Sequence, residues 1–502
     1  MKIERLWGGR FKELPSNEII NFLSGRDTKG VPPCDERLIQ YDLWGNTAHA
    51  LMLFKQGILS KEETKKIIQG LREIESLYQE GKFKLDPLKE DVHTNIESYL
   101  IEKLGVEFGG KIHTGRSRND QIALDMRLYL RDQALEFISE ITSLMEILLK
   151  RANEHSLTIM PGYTHHQHAI ATSFGHLLLS FVEAFDRDVK RFFNWFDLFN
   201  KNPLGAAAGY GTSFNLDRIF TSRLLGFDGP TVNVTDPITQ RWEAEAELGY
   251  AISMTMNHLS TLAQILIILS TKEFGMIKLD DRHCSGSSIM PQKRNPCTLE
   301  VIKAKTSFIH GMLMSIISEG KALFMGYNRD TQWTKYWIMD IIDEARPSLS
   351  VMSDVIRFLQ VNKEEMLARA EEDFSGATAL MEWLVQSYSL PLRKAKMIVE
   401  RAVKYSEFEK EDKVSLSALN KALMELKVNI KIDEKQVEEI QRPERILKVA
   451  SPLGTPSQKR MKEAFQSFRH LLEINKELLK RKKRQIEIAK RFILKKKKAL
   501  VD

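Results

Sequence analysis

Apolar residues along this 502-residue chain recur at helical spacing, and strand-like alternation is weak throughout. Asp120 to Met160 contains neither Gly nor Pro. Within it Ala134, Ile138, Ile141, Met145 and Leu148 fall at alternating steps of four and three, with a second stripe of Leu130, Phe137, Ile141, Leu144 and Leu148 beside them. Together they make one broad apolar face. His165 to Lys201 is Pro-free with Gly175 its only Gly, Thr239 to Phe274 is Pro-free with Gly249 its only Gly, and Cys297 to Glu319 follows the same pattern. A helix of about 35 residues is roughly 50 Å long, more than a small domain is wide. Such helices bury wide faces by bundling with equals, often from other subunits. The pattern predicts an all-α, long-helix oligomer.

Gly109-Gly110, Pro161-Gly162 and Phe374-Ser375-Gly376 interrupt these stretches. They suggest an N-terminal helical domain over 1–112, a central long-helix bundle over 113–373 and a C-terminal helical domain with a basic tail over 374–502. The composition, 43% hydrophobic and 28% charged, is ordinary for a globular protein. Cys34, Cys284 and Cys297 form neither a disulfide framework nor a zinc-ligand pattern, which fits a reducing cytoplasm. Met1 to Arg5 lacks the apolar core of a signal peptide. The most apolar run, Leu262 to Leu269, is too short to span a bilayer and reads as buried helix. Much of the net charge of +7 sits between Lys480 and Lys498. That run reads as a solvated helix end, set against the sharper reading of a nucleic-acid or membrane contact.

Chemistry concentrates in the polar stretches between the helices. Gly110 to Asp120, GKIHTGRSRND, packs donors into a turn that ends at a helix start, where Asn119 or Asp120 could cap. Arg116 and Arg118 suit carboxylates there, because guanidinium forks bind them in bidentate fashion. Gly286 to Pro296, GSSIMPQKRNP, has too many breakers for a helix and reads as a mobile loop that could close over an anion. Met160 to His168 carries three histidines, but no carboxylate or thiolate stands at ligand spacing, so acid–base work by one His is the better reading than zinc. The Gly205 to Gly211 stretch lacks the strand and the Gly spacing of a nucleotide loop.

Taken together these segments resemble the fumarase/aspartase superfamily and, within it, the argininosuccinate lyases. The resemblance runs from Leu6-Trp7-Gly8-Gly9-Arg10-Phe11 through Glu90 to Thr94, Arg118 to Gln121, Gly162 to His165, Pro203-Leu204-Gly205, the Ser287 loop and Tyr327 to Gln332, and ends at Gly454-Thr455-Pro456. It implies elimination of fumarate from an N-succinyl amine, with no metal or other cofactor. Ser287 matches the base, supported by the Lys293 cation. His165, at the start of the expected helix, matches the acid, oriented by Glu300. Arg118, Asn119, Thr164, Ser288, Lys293 and Asn295 match positions that hold the fumarate carboxylates, and His93 matches a further site residue. Tyr327, Gln332 and Lys335 match positions that grip the amino-acid end of arginine. The resemblance also implies a homotetramer whose sites combine segments of different subunits. Departures occur around Ser24, at His166 to Ala171 and at Trp333-Thr334. The rival readings are a lyase for another N-succinyl amine, a crystallin-like structural protein, and a nucleic-acid binder using the tail. The third has no aromatic-interleaved basic surface in the body to support it.

Overall fold

The computed structural model describes residues 11–13, 16–24 and 32–501. Most of the opening motif, Leu6 to Arg10, lies outside them. The body is built on long helices: α1 (Ile39–Lys55), α2 (Val92–Leu104), α3 (Arg118–Glu154), α4 (Phe174–Phe199), α5 (Arg241–Leu269), α6 (Cys297–Glu319) and α7 (Thr334–Phe358). Helices α3 to α7 pack on one another as the bundle expected from the apolar stripes. Phe137 of α3 stacks on Phe192 of α4 with ring centroids 5.3 Å apart, and both are buried. Length and apolarity alone would let α5 cross a membrane. In the fold half of that apolar stretch is buried, packed against α4, α6 and α7.

Three packing facts set the direction of these helices. On the α5–α6 face, Lys303 reaches Gln264 and the Thr306 hydroxyl donates to the Met256 carbonyl, so the two run antiparallel. Where α6 ends, Gly320 lies so close to Trp242 at the start of α5 that a Cβ would sit 2.4 Å from the indole. Arg346 of α7 bonds Glu140 of α3 and Arg151 donates to the Leu359 carbonyl, so α3 and α7 run parallel. The bundle thus has one end carrying the N-termini of α3, α5 and α7, and another carrying the N-terminus of α6.

One expectation needs correction. The helix expected from His165 begins only at Phe174, where the Ser173 hydroxyl accepts from the His176 N–H at 3.1 Å. Before it, β1 (Ile159–Thr164) and β2 (Gln167–Ser173) form an antiparallel hairpin. A side chain at Gly162 would lie 2.5 Å from the Ile170 carbonyl oxygen, so close strand approach needs the glycine. Residues from Ile19 to Ile112 share one continuous core with the bundle. A second core, from Leu380 to Ile440, is built by α8 (Ala377–Tyr388), α9 (Leu392–Phe408), α10 (Leu416–Glu425) and α11 (Glu434–Gln441), with Val414 from the turn before α10. The last helix, α12 (Gln458–Val501), returns to the bundle and lies along α3 and α4. Its buried Met461, Phe465, Leu472, Ile486 and Ile493 join the main core. One flank of its basic run is paired with bundle carboxylates: Lys482 with Asp197 at 2.5 Å and Lys483 with Glu136 at 3.2 Å.

Candidate active site

The N-terminus of α3 builds the first group. Ser117, with extended backbone, is the N-cap: its hydroxyl accepts from the Asn119 N–H, while Asp120 reaches back to the Ser117 N–H at 3.0 Å. The cap is therefore Ser117, not Asn119 or Asp120, because only a residue still outside the helix has the backbone angles a cap needs. Arg118 stays half-exposed, 3.5 Å from Glu90 and 3.9 Å from Asp91. Arg116 instead turns inward and donates to Asn46, so it is committed to the interior. Beside it His93 is buried with Nδ1 2.7 Å from Asp42, and its Nε2 has no hydrogen-bond partner among the described residues. Burial works against the imidazolium of His93, but Asp42 outweighs it and raises the pKa. Burial and the neighbouring Asp42 carboxylate push Asp125 well above the usual range.

The segment before α7 joins this group. Asp35 accepts from the Val92 N–H at 3.2 Å and from Lys335 at 2.5 Å. Lys335 is thereby tied through Asp35 to Val92, the residue before His93. The Tyr327 hydroxyl donates to Gln332 at 3.3 Å, and the Arg241 guanidinium lies 5.7 Å from the Tyr327 ring. Arg329 bridges to Glu90, the same carboxylate that Arg118 faces. His93, Arg118, Asn119, Tyr327, Gln332 and Lys335 are thus gathered at one end of the bundle.

The other predicted residues gather at the opposite end. His165 and His166 form the two-residue turn of the hairpin, both with positive φ, 52° and 61°. Such a turn suits the strand twist but is usually made by Asn and Gly. Histidines held there store strain of order 1 kcal/mol each, the kind of cost that functional positions carry. A cavity of about 670 Å³ beside the turn is lined by His165, His166, Thr172, Gln264 and Lys303 among others. The Ser287 loop is closed at its base by paired backbone bonds between Ser285 and Asn295, 3.0 and 2.8 Å, and by a 2.7 Å contact of the Ser285 hydroxyl with the Cys297 thiol. Asn295 also donates to the Gly286 carbonyl. Ser287 Oγ accepts the N–H groups of Ile289 and Met290 at 3.3 and 3.0 Å. Ser288 and Lys293 are exposed on the loop, and Glu300 is exposed on the first turn of α6.

Within one protomer the two groups do not meet. The 25 residues of α7 run from Lys335 at the first end to β4 (Gln360–Val361), which pairs with β3 (Ile277–Lys278) just before the Ser287 loop. At 1.5 Å per residue that is about 37 Å. Sequence reading missed Asp35, Asp42 and Asp125. The signal available was indirect: a buried His and a buried Lys each require a carboxylate partner.

Comparison with known proteins bears on this geometry. A family model described as lyase matches residues 33–311. The chain is 40% identical over 452 residues to the argininosuccinate lyase of Caldanaerobacter subterraneus subsp. tengcongensis, covering 90% of this chain and 99% of that one. It is 38% identical over 468 residues to that of Carboxydothermus hydrogenoformans, covering 93% and 100%. Among solved structures, an EDDS lyase variant with bound fumarate superposes with a TM-score of 0.89 at 27% identity, covering 98% of this chain and 97% of that one. With relatives matched across essentially their whole length, the chain belongs to the argininosuccinate lyase family of the fumarase/aspartase superfamily.

Proposed function

We propose that the protein cleaves argininosuccinate to arginine and fumarate by β-elimination, a step of arginine biosynthesis in the cytoplasm. The observation that carries this reading is the match to argininosuccinate lyases over 99% and 100% of their length. Free cysteines at Cys34, Cys284 and Cys297 fit the compartment.

In the proposed reaction Ser287 removes the Cβ proton of the succinyl part. The charge spreads into the adjacent carboxylate as an aci-carboxylate, and the C–N bond then breaks. A serine hydroxyl is a weak base, so its alkoxide must be stabilised. The two backbone N–H groups already directed at Ser287 Oγ supply part of that stabilisation, and Lys293 is the nearby cation of the same loop. His165, oriented by Glu300, protonates the leaving nitrogen. Arg118, Asn119, Thr164, Ser288, Lys293 and Asn295 hold the two carboxylates of the succinyl part, with His93 beside them, its Nε2 unspent. Tyr327, Gln332 and Lys335 grip the amino-acid end of arginine.

The active form is proposed to be a homotetramer. About 37 Å of helix separates the two residue groups within a protomer, so a complete site needs the other end of another copy. Exposed Phe308, Met314 and Ile317 with Gly311 on α6 supply a packing face for that copy. The test is fumarate release, followed by ultraviolet absorbance, by the parent protein and by Ser287→Ala and His165→Asn. Both variants are expected to lose kcat by orders of magnitude while still binding substrate in calorimetry. Ser287→Ala retaining more than about a tenth of parent kcat, a barrier change below about 1.4 kcal/mol, would place the base elsewhere.

A further inference from the structure

The Gly-rich segment Gly205 to Gly211 has no role in the elimination as described, yet it is tied to both substrate-gripping segments. Its anchor is Asp120, which is 0% exposed. One carboxylate oxygen accepts the Ser117 N–H at 3.0 Å, and the other accepts the Gly205 and Ala207 N–H groups at 3.0 and 2.8 Å. Receiving two N–H groups on one oxygen needs a strong acceptor, which an ionised carboxylate provides. The loop pays a conformational cost to present them, because Ala207 sits at φ 50° in the left-handed region.

Arg218 braces the other side. Its guanidinium donates to the carbonyls of Asn202, Leu204 and Thr231 and to the Thr231 hydroxyl, at 2.9 to 3.1 Å. A Cβ on Gly205 would lie 2.9 Å from the Arg218 side chain, so that position has room only for glycine. The far side of the loop reaches the second gripping segment. The Tyr210 hydroxyl lies 3.0 Å from where a side chain on Gly326 would begin, one residue before Tyr327. Gly326 is further held by its N–H to Thr239 at 2.9 Å, and Thr235 donates to the Gly209 carbonyl at 2.8 Å.

We infer that Asp120 is a positioning residue: through the Gly205–Gly211 loop it sets the Arg118–Asn119 turn and the Tyr327–Lys335 segment at the spacing that one substrate must bridge. This rests on the proposed function, which makes those two segments the grips. The clamp works only while Asp120 is ionised. Burial pushes its pKa up to about 6, against the Ser117, Ala207 and Gly205 N–H groups and Arg116, which lower it. The charged groups facing it are Arg116 and Arg218.

The experiment compares the parent with Asp120→Asn and Asp120→Glu in three measurements. With argininosuccinate at pH 8, Asp120→Asn should raise KM by about tenfold or more with little change in kcat, the loss of one charge-assisted bond, and Asp120→Glu should recover part of it. In the parent, KM should rise as pH falls through about 6, and Asp120→Asn should lack that rise. Amide hydrogen exchange over residues 203–211 should quicken in Asp120→Asn, and in the parent below about pH 6 beyond its intrinsic change. An unchanged KM, or a raised KM with the parent's pH profile, overturns the inference. Should the parent release no fumarate from argininosuccinate, the proposed function fails by itself. The exchange measurement then still decides the clamp, and unchanged exchange overturns it. Parent exchange against pH keeps the test open even if Asp120→Asn does not fold.

Discussion

Arg118 and Ser287 stand at opposite ends of the bundle, and this allows a sharp test by mixing variants. Arg118→Ala removes a half-exposed guanidinium whose protein partners are 3.5 and 3.9 Å away, so stability should barely change. A lost charge-assisted contact to a substrate carboxylate is worth about 1.5–3 kcal/mol, which is roughly ten- to hundredfold in kcat/KM. Ser287→Ala gives up two bonds within an exposed loop and, if Ser287 is the proposed base, nearly all turnover. Each variant alone should be crippled. Unfolded together in equal amounts and refolded, they should form mixed oligomers of the proposed assembly. If a site takes its Arg118 end from one chain and its Ser287 end from another, the chance that both are intact is the product of two halves. About a quarter of parent activity should return. If one chain supplied both residues, every site would contain at least one substitution and no activity would return. The assay is kcat/KM for fumarate release before and after mixing, with light scattering to confirm equal oligomer size. Recovery no greater than the average of the two variants would refute the shared site.

Lys335→Ala should act mainly on KM, because the lost cation is a proposed grip on substrate. It should also lower the thermal midpoint, since Asp35 loses the partner it holds at 2.5 Å. Glu245 is buried with one oxygen lacking a hydrogen-bond partner among the described residues, and burial raises its pKa from an ordinary 4.5 to about 7. The folded state then keeps a proton that the unfolded chain releases, so stability should fall as pH rises from about 4.5 to about 7 and level off above. Glu245→Gln should remove that slope and raise the unfolding free energy at pH 8, by at most about 3 kcal/mol; a lower stability at pH 8 would contradict the assignment. Phe192→Ala opens the stacked contact with Phe137 and should cost about 3–5 kcal/mol in a denaturant titration.

The long helices were legible because their apolar stripes are uninterrupted over many turns. Cys297 to Glu319 matches α6 at both ends, since Pro296 precedes it and Gly320 follows. The hairpin at Ile159–Ser173 was not, because a run without Pro after Pro161 reads equally as helix, and what makes it strand is the close pairing across Gly162. At the site, His93, Arg118 and Lys335 were marked by residue type and motif. Their supports were not, because Asp35, Asp42 and Asp125 come from other segments and acquire meaning only when folding brings them beside a buried cation. Arg116 looked as suited to substrate as Arg118. Only burial against Asn46 separates the two. The tail from Lys480 read as a solvated end, whereas successive turns of it pack Ile486, Ala489 and Ile493 onto the bundle. Charge composition cannot show that face.

The central claim is that argininosuccinate is the substrate, and the measurement that meets it most directly is product stoichiometry. Purified protein given argininosuccinate in parallel with other N-succinyl amines should release arginine and fumarate in equal amounts, with argininosuccinate giving the highest kcat/KM. Silence with argininosuccinate and fumarate release from a different N-succinyl amine would contradict it.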